Sequence, residues 1–82
     1  MIMDDINALV EKVRESIREH YKEYKIVITG IHIEKIAGKE EYAITVNFNA
    51  MKKTEEGIIV IEQKLVFSNE IMKFTAPYKY IL

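Results

Sequence analysis

Two histidines, His20 and His32, are the side chains of this sequence best suited to chemistry. His20 falls in a stretch of helical periodicity and His32 in a strand-like stretch. We expect neither to have a second His, Asp or Glu beside it at metal-ligand spacing on the same face. Because a structural or catalytic zinc site needs three or four convergent ligands, the sequence predicts no metal site. We expect His20 at the rim of the core and His32 on the surface or at a bulge.

Carboxylates and hydroxyls do not form a catalytic set either. The carboxylates occur in charged runs, such as the pairs at 40–41 and 55–56. Acid–base catalysis instead needs one carboxyl group whose pKa is raised by an apolar pocket and a second group nearby. Ser16 and Ser68 lack the base and the orienting group of a triad, and the three glycines are scattered, so they form no phosphate-binding loop. The sequence predicts a protein without catalytic activity or cofactor.

Aromatic residues on predicted strands raise the alternative of single-stranded nucleic-acid binding. Such binders interleave aromatics with Lys and Arg on one exposed face. In this sequence the strand aromatics share their parity with aliphatic residues, and the net charge is −1. We therefore expect core aromatics and no nucleic-acid partner. The aromatics concerned are Tyr42, Phe48, Phe74, Tyr78 and Tyr80.

Length and composition limit the architecture. A chain of 82 residues that is 49% apolar and 30% charged is typical of one globular domain, spanning 1–82. It has no cysteine and therefore no disulfide or thiolate site. The first residues lack the pattern of a secretory signal, and the longest aliphatic run, Ile58–Ile61, is far below the roughly 20 residues of a membrane span. The expectation is a cytoplasmic protein that does not contact a membrane.

A helix is predicted from Asp4 to about Tyr24, because apolar residues recur there at spacings of three and four. After Tyr24 the period changes to two, which is typical of strands. The stripe of the helix comprises Ile6, Val10, Val13, Ile17, His20 and Tyr24, widened by Leu9 and Tyr21. The predicted strands are Lys25–Ala37, Glu41–Met51, Ile58–Phe67 and a last one from Met72 to Tyr80.

Two strands carry marks of irregularity. In the first, Ile26 and Ile28 have one parity and Ile31 and Ile33 the other, with Gly30 at the change. A β-bulge explains this slip; the alternative is that the first two isoleucines pack near the helix end without a bulge. In the last strand, Pro77 cannot donate to a ladder, so this strand is predicted to be an edge or to break there.

Short connections between strands predict antiparallel neighbours. The expected fold is α+β, with the N-terminal helix packed on a curved four-stranded antiparallel meander. This element order resembles helix-grip sheets such as the cystatin-like architecture. The Gln-x-Val-x-Gly loop of cysteine-protease inhibitors is missing from the sequence, so the resemblance implies no inhibitory activity. The predicted core comprises Ile44, Val46, Phe48, Ile59, Ile61, Leu65, Phe67 and Phe74.

An apolar surplus on the other face of the sheet predicts self-association. One helix covers only part of a four-stranded sheet, and uncovered aliphatics form a patch that attracts a partner. We expect a non-enzymatic interaction or assembly module, a two-fold homodimer or a complex with another protein, formed by the sheet face or by the first strand. A monomer is the alternative. The predicted interface residues are Val27, Ile58, Val60, Val66 and Ile81.

Small-ligand binding is the second functional alternative. A sheet curled around a helix leaves a tapered cavity at its open end, where tyrosines can supply polar groups in an apolar lining. The candidate rim of this cavity comprises His20, Tyr21, Tyr24 and Tyr80.

Overall fold

The computed structural model describes the backbone of residues 2–82 and the side chains from residue 6 onward. One helix is followed by five strands. In chain order they are α1 (Ile2–His20), β1 (Lys25–Lys35), β2 (Tyr42–Thr54), β3 (Gly57–Ser68), β4 (Ile71–Phe74) and β5 (Tyr78–Ile81).

The helix ends earlier than its apolar stripe. Val13 and Ile17 are fully buried, as expected for the centre of the stripe. Regular helix stops at His20, and a turn in which the Tyr24 amide donates to the Tyr21 carbonyl (3.1 Å) leads into β1. The β-branched run that begins at Ile26 favours extended backbone, so the chain changes from helix to strand within four residues.

The sheet is an antiparallel meander in the order β1-β2-β3-β4, and β5 pairs with β3 beyond the end of β4. This confirms the predicted α+β fold, with the last strand split into two short ones at residues 75–77. In the described part of the chain, no helix combines the length and apolar character that a membrane crossing requires.

A one-residue bulge interrupts β1, as the parity change predicted. Ile28 pairs with Phe48 and Gly30 with Asn47, so Thr29 is an extra residue without a partner of its own. Ile26, Ile28, Ile31 and Ile33 pair with residues 50, 48, 46 and 44, which all face the helix. The bulge therefore puts the isoleucines of both halves of β1 on one face.

A second interruption lies on the opposite side of the sheet. Leu65 pairs with Phe74 and Glu62 with Tyr78, so three residues, 75–77, lie opposite two, 63–64. The Thr75 amide donates to the Lys64 carbonyl at 3.0 Å, and the Lys64 amide donates to Thr75 Oγ1 at 3.2 Å. This extra residue lies level with the bulge of β1, because Lys64 also pairs with Asn47.

The extra residue reverses the facing of the last strand. β4 directs Phe74 to the helix side, whereas Tyr78 and Tyr80 pair with Glu62 and Val60 on the other face of the sheet. The prediction that these two tyrosines are core residues is therefore wrong. We call the sheet face that lies away from α1 the open face.

The core lies between α1 and the helix-side residues of the central strands. Six of the eight predicted core residues are buried, and Ile59 and Phe74 are half-buried against them. The buried core comprises Val13, Ile17, Ile44, Val46, Phe48, Ala50, Ile61, Leu65 and Phe67. The molecule is elongated, with extents of 50 × 20 × 18 Å. A 19-residue helix, about 28 Å long, covers only part of that length.

Candidate interaction surface

The predicted ligand rim is only partly brought together. At the end of α1, the His20 ring stacks on Phe74 with 4.1 Å between centroids, and Tyr21 contacts Tyr24 edge to face at 5.4 Å. Tyr80 lies on the open face, where its hydroxyl donates to Glu62 at 2.7 Å. The sheet therefore separates Tyr80 from the other three residues.

The polar group of Tyr21 has a partner within the fold. Its hydroxyl donates to the side-chain oxygen of Gln63, the buried polar residue of β3, whose amide nitrogen donates to the Thr75 carbonyl. Burial, and then the neighbouring Tyr24, raise the pKa of Tyr21 above its ordinary value. These bonds join helix, sheet and the break at 75–77, so they stabilise the fold and give no support to a ligand site.

The histidines lie apart from each other. His32 is exposed on the open face of β1, with its Nε2 atom 3.6 Å from Glu34, which is equally exposed. The expectation that no acidic residue lies beside His32 on the same face is therefore wrong. Among residues 6–82, whose side chains the structure describes, no three His, Asp or Glu side chains lie close enough together to hold a metal ion.

The predicted dimer patch is not continuous. Val27 and Ile58 are exposed on the open face, at 38% and 40%, and Val66 is half-buried there. Val60 is only 2% exposed and pairs with Met51 on one side and Tyr80 on the other. It is therefore unable to contribute surface to an interface, contrary to the prediction.

Ile81 is on the other side of the sheet from the rest of that set. It pairs with Ile59, which belongs to the helix side. The expectation that Ile81 shares a face with Val27 and Ile58 is wrong, because the extra residue at 75–77 shifts the alternation of β5.

Polar residues separate the apolar ones on the open face. A shallow cleft of about 260 Å³ lies at the level of the two interruptions, between Thr29 on one side and Thr75 on the other. The exposed Tyr78 borders it, with 67% of its surface accessible. Four lysines also lie on this face, at register positions 25, 53, 64 and 73.

β1 is a largely exposed strand on one side of the sheet. It is an outer strand of eleven residues, and within residues 2–82 its one ladder partner is β2. α1 lies mainly over β2 and β3, so Ile31 and Ile33 remain 41% and 36% exposed although they face the helix side. A groove of about 270 Å³ runs between α1 and β1, with Arg14 and Arg18 on its helix wall and Ile26 and Ile28 on its floor.

No family model, curated protein or solved structure matches this chain. We therefore infer the function from the surfaces of the molecule. Two of them stand out: the free edge of β1 with its uncovered isoleucines, and the tyrosine- and lysine-bearing open face. Sequence reasoning named the first strand as a pairing element but missed its uncovered isoleucines, because helical periodicity shows which face of α1 is buried but not which strands that face covers. It missed the second because the reversal at 75–77 has no sequence mark beyond Pro77.

Proposed function

We propose that this protein is a small, non-enzymatic, cytoplasmic assembly module that forms a homodimer through its sheet, with β1 as the pairing strand. The observation that carries the proposal is an eleven-residue outer strand whose free edge borders two isoleucines that α1 leaves uncovered. Unpaired strand edges are templates for pairing, and burial of exposed apolar area adds to the free energy of association.

The other edge of the sheet is less suited to pairing. It is formed by β4 and β5, two strands of four residues each. Residues 75–77 interrupt it, and Pro77 removes one backbone donor. Short and interrupted edges are the usual protection of a sheet against unwanted pairing. β1 is long and free of proline, and it is regular on both sides of its single bulge.

The mass in solution tests this proposal. Light scattering at micromolar concentration should give twice the 9.6 kDa chain mass. Ile31→Lys should shift the protein to monomer. The matched control is Ile71→Lys, since Ile71 is 55% exposed on the opposite outer strand, β4; it should leave the dimer intact. A native protein of monomeric mass, or a dimer unaffected by Ile31→Lys, would contradict the proposal.

Single-stranded nucleic-acid binding is a second candidate, favoured by where the structure puts Tyr78 and Tyr80. Their rings lie 5.5 Å apart on the open face, and Tyr78 is largely exposed. Bases stack on exposed aromatic rings and the backbone phosphates pair with nearby lysines. The four lysines at 25, 53, 64 and 73 exceed the two glutamates at 34 and 62 on the same face.

Fluorescence anisotropy with labelled oligothymidine and oligouridine at low salt tests this candidate. Binding should weaken as salt is raised, and it should be reduced by Tyr78→Ala and by Lys64→Ala. Lys79→Ala is the control, because Lys79 pairs with Ile61 and so belongs to the helix side. An unchanged anisotropy at low salt would rule the candidate out.

A further inference from the structure

The sequence of β1 mirrors itself about its bulge. Its first half is Lys25-Ile26-Val27-Ile28-Thr29 and its second half is Gly30-Ile31-His32-Ile33-Glu34. When the second half is aligned in reverse order with the first, Lys aligns with Glu, Ile aligns with Ile at two positions, Val aligns with His, and Thr aligns with Gly. Residues 25–34 thus form an approximate palindrome with opposite charges at its ends, and Lys35, the last residue of β1, lies outside it.

The bulge places the mirrored residues of this palindrome on the same face of the sheet. In an uninterrupted strand, Ile26 and Ile33 would face opposite sides, since they are seven residues apart. With Thr29 as an extra residue, both face the helix side, as do Ile28 and Ile31. Lys25 and Glu34 both face the open side, where they pair with Met51 and Ala43. Every mirrored combination therefore shares a face.

We propose that β1 pairs antiparallel with β1 of a second copy in the register that sets Lys25 opposite Glu34. This inference rests on the proposed dimer and specifies how it forms. In this register Ile26 lies opposite Ile33 of the second copy and Ile28 opposite its Ile31, and by two-fold symmetry each combination occurs twice. Two five-stranded sheets then form one continuous sheet with both helices on the same side.

Neighbouring registers fit less well. A shift of two residues in one direction sets Lys25 opposite His32 and, with Thr29 as the extra residue, Ile28 opposite Ile28 of the second copy. A shift in the other direction sets Lys25 opposite Ile36 and Ile26 opposite Lys35. Each shift leaves three isoleucine pairings instead of four and loses the attraction between Lys25 and Glu34. Cross-strand pairs of opposite charge and of β-branched residues both stabilise a sheet.

The backbone of the second half of β1 is oriented for this pairing. The Ile36 amide donates to the Glu41 carbonyl of the connection to β2, at 2.9 Å. Since bonding alternates along an antiparallel ladder, the amides and carbonyls of Ile33 and Ile31 point to the free edge. These are the residues that the proposed register sets opposite Ile26 and Ile28.

Cysteine cross-linking tests the register. The native chain has no cysteine, and Val27 and His32 are exposed on the open face. Val27→Cys and His32→Cys should form a disulfide-linked dimer with oxidised glutathione only when the two variants are mixed, because residues 27 and 32 are opposite each other. Each variant alone should form none, since the two copies of residue 27 lie about 14 Å apart. Rapid cross-linking of a single variant, or none in the mixture, would overturn the register.

Charge exchange gives an independent reading on the same dimer. Lys25→Glu sets like charges opposite each other twice and should raise the dissociation constant about tenfold. The double variant Lys25→Glu/Glu34→Lys should restore it. Light scattering of the reduced cysteine variants distinguishes failure of the proposed register from failure of the proposed dimer. A dimer that does not cross-link in the mixture would contradict the proposed register but not the proposed function. A monomer would contradict both.

Discussion

The hydroxyl of Tyr21, at the end of α1, donates a hydrogen bond to the side chain of Gln63 in the middle of β3. Gln63 is 8% exposed in a row of apolar residues, and its amide group also donates to the Thr75 carbonyl. One buried side chain thus links the helix to the interruption of the last strand. A buried amide is costly when it lacks partners, so this link is sensitive to the loss of any member.

Tyr21→Phe should lower the free energy of unfolding by about 1–2 kcal/mol, because it leaves the Gln63 oxygen buried without a donor. The double variant with Gln63→Leu should cost less than the sum of the single variants, since the acceptor is then gone as well. Urea denaturation measures all three. Tyr80→Phe is the control, since it removes a hydroxyl that bonds Glu62 on the exposed side of the sheet. Equal losses for Tyr21→Phe and Tyr80→Phe would contradict the link.

Stability should fall in alkaline solution, in part through Tyr21. Burial, and then Tyr24, raise its pKa above the ordinary 10.0, so the folded protein retains a proton that the unfolded chain releases. The contribution is complete below pH 10.0 and is lost as the pH rises through the raised value. Urea midpoints measured from pH 9 upward should decline less steeply for Tyr21→Phe than for the native protein. Identical slopes would show that Tyr21 does not carry the effect.

The turn between β3 and β4 is strained at Glu70. Asn69 and Glu70 both have positive φ angles, 52° and 62°, which is the conformation of a type I′ hairpin turn. Asn tolerates this region, whereas Glu does so at a cost. Glu70→Gly should therefore raise the free energy of unfolding by about 0.5–1 kcal/mol. Glu55→Gly, in a loop without positive φ at that residue, is the control and should not stabilise; a lower thermal midpoint for Glu70→Gly would contradict the argument.

Gly57 lies where the end of the chain approaches the β2–β3 hairpin. A Cβ atom at this position would come within 2.4 Å of the Leu82 carbonyl oxygen, and Leu82 exchanges backbone hydrogen bonds with Ile58. Gly57→Ala should displace the last residues and destabilise the fold by more than about 1 kcal/mol, because the backbone is strained at such a site. Gly38→Ala shares the positive φ but meets open space, so it should cost less. Thermal unfolding compares the two; equal costs would show that the contact with Leu82 is unimportant.

The periodicity of apolar residues predicted the features that depend on alternation along the chain. The helical stripe of Val13 and Ile17, the strands, and the bulge beside Gly30 all follow from spacing along the chain. The sideways position of α1 on the sheet does not, because it depends on packing across strands that are distant in sequence. For that reason the exposure of Ile31 and Ile33 was not foreseen.

The candidate surfaces were likewise only partly predictable from spacing along the chain. Pro77 marked the break in the last strand, but not the extra residue that turns Tyr78 and Tyr80 to the open face. With Tyr80 beside it, Val60 is buried on a face that spacing alone assigned to the surface. The palindrome of β1 can be recognised in the sequence. Only the position of Thr29 in the bulge, however, shows that its mirrored residues share a face.

Each of the two level interruptions in the outer strands contains one residue that the alternation of faces does not need. Deletion of Thr29 would make Ile28 and Gly30 neighbours, so β1 would alternate without a break and its four isoleucines would still face the helix side. Deletion of one residue within 75–77 would leave two residues opposite 63–64, with Phe74 and Tyr78 on their present faces. The connection at 37–40 likewise has no alternation to preserve. Relatives of this protein should therefore vary by one residue at the two interruptions, vary freely at that connection, and keep a constant length in the regular strand segments between them.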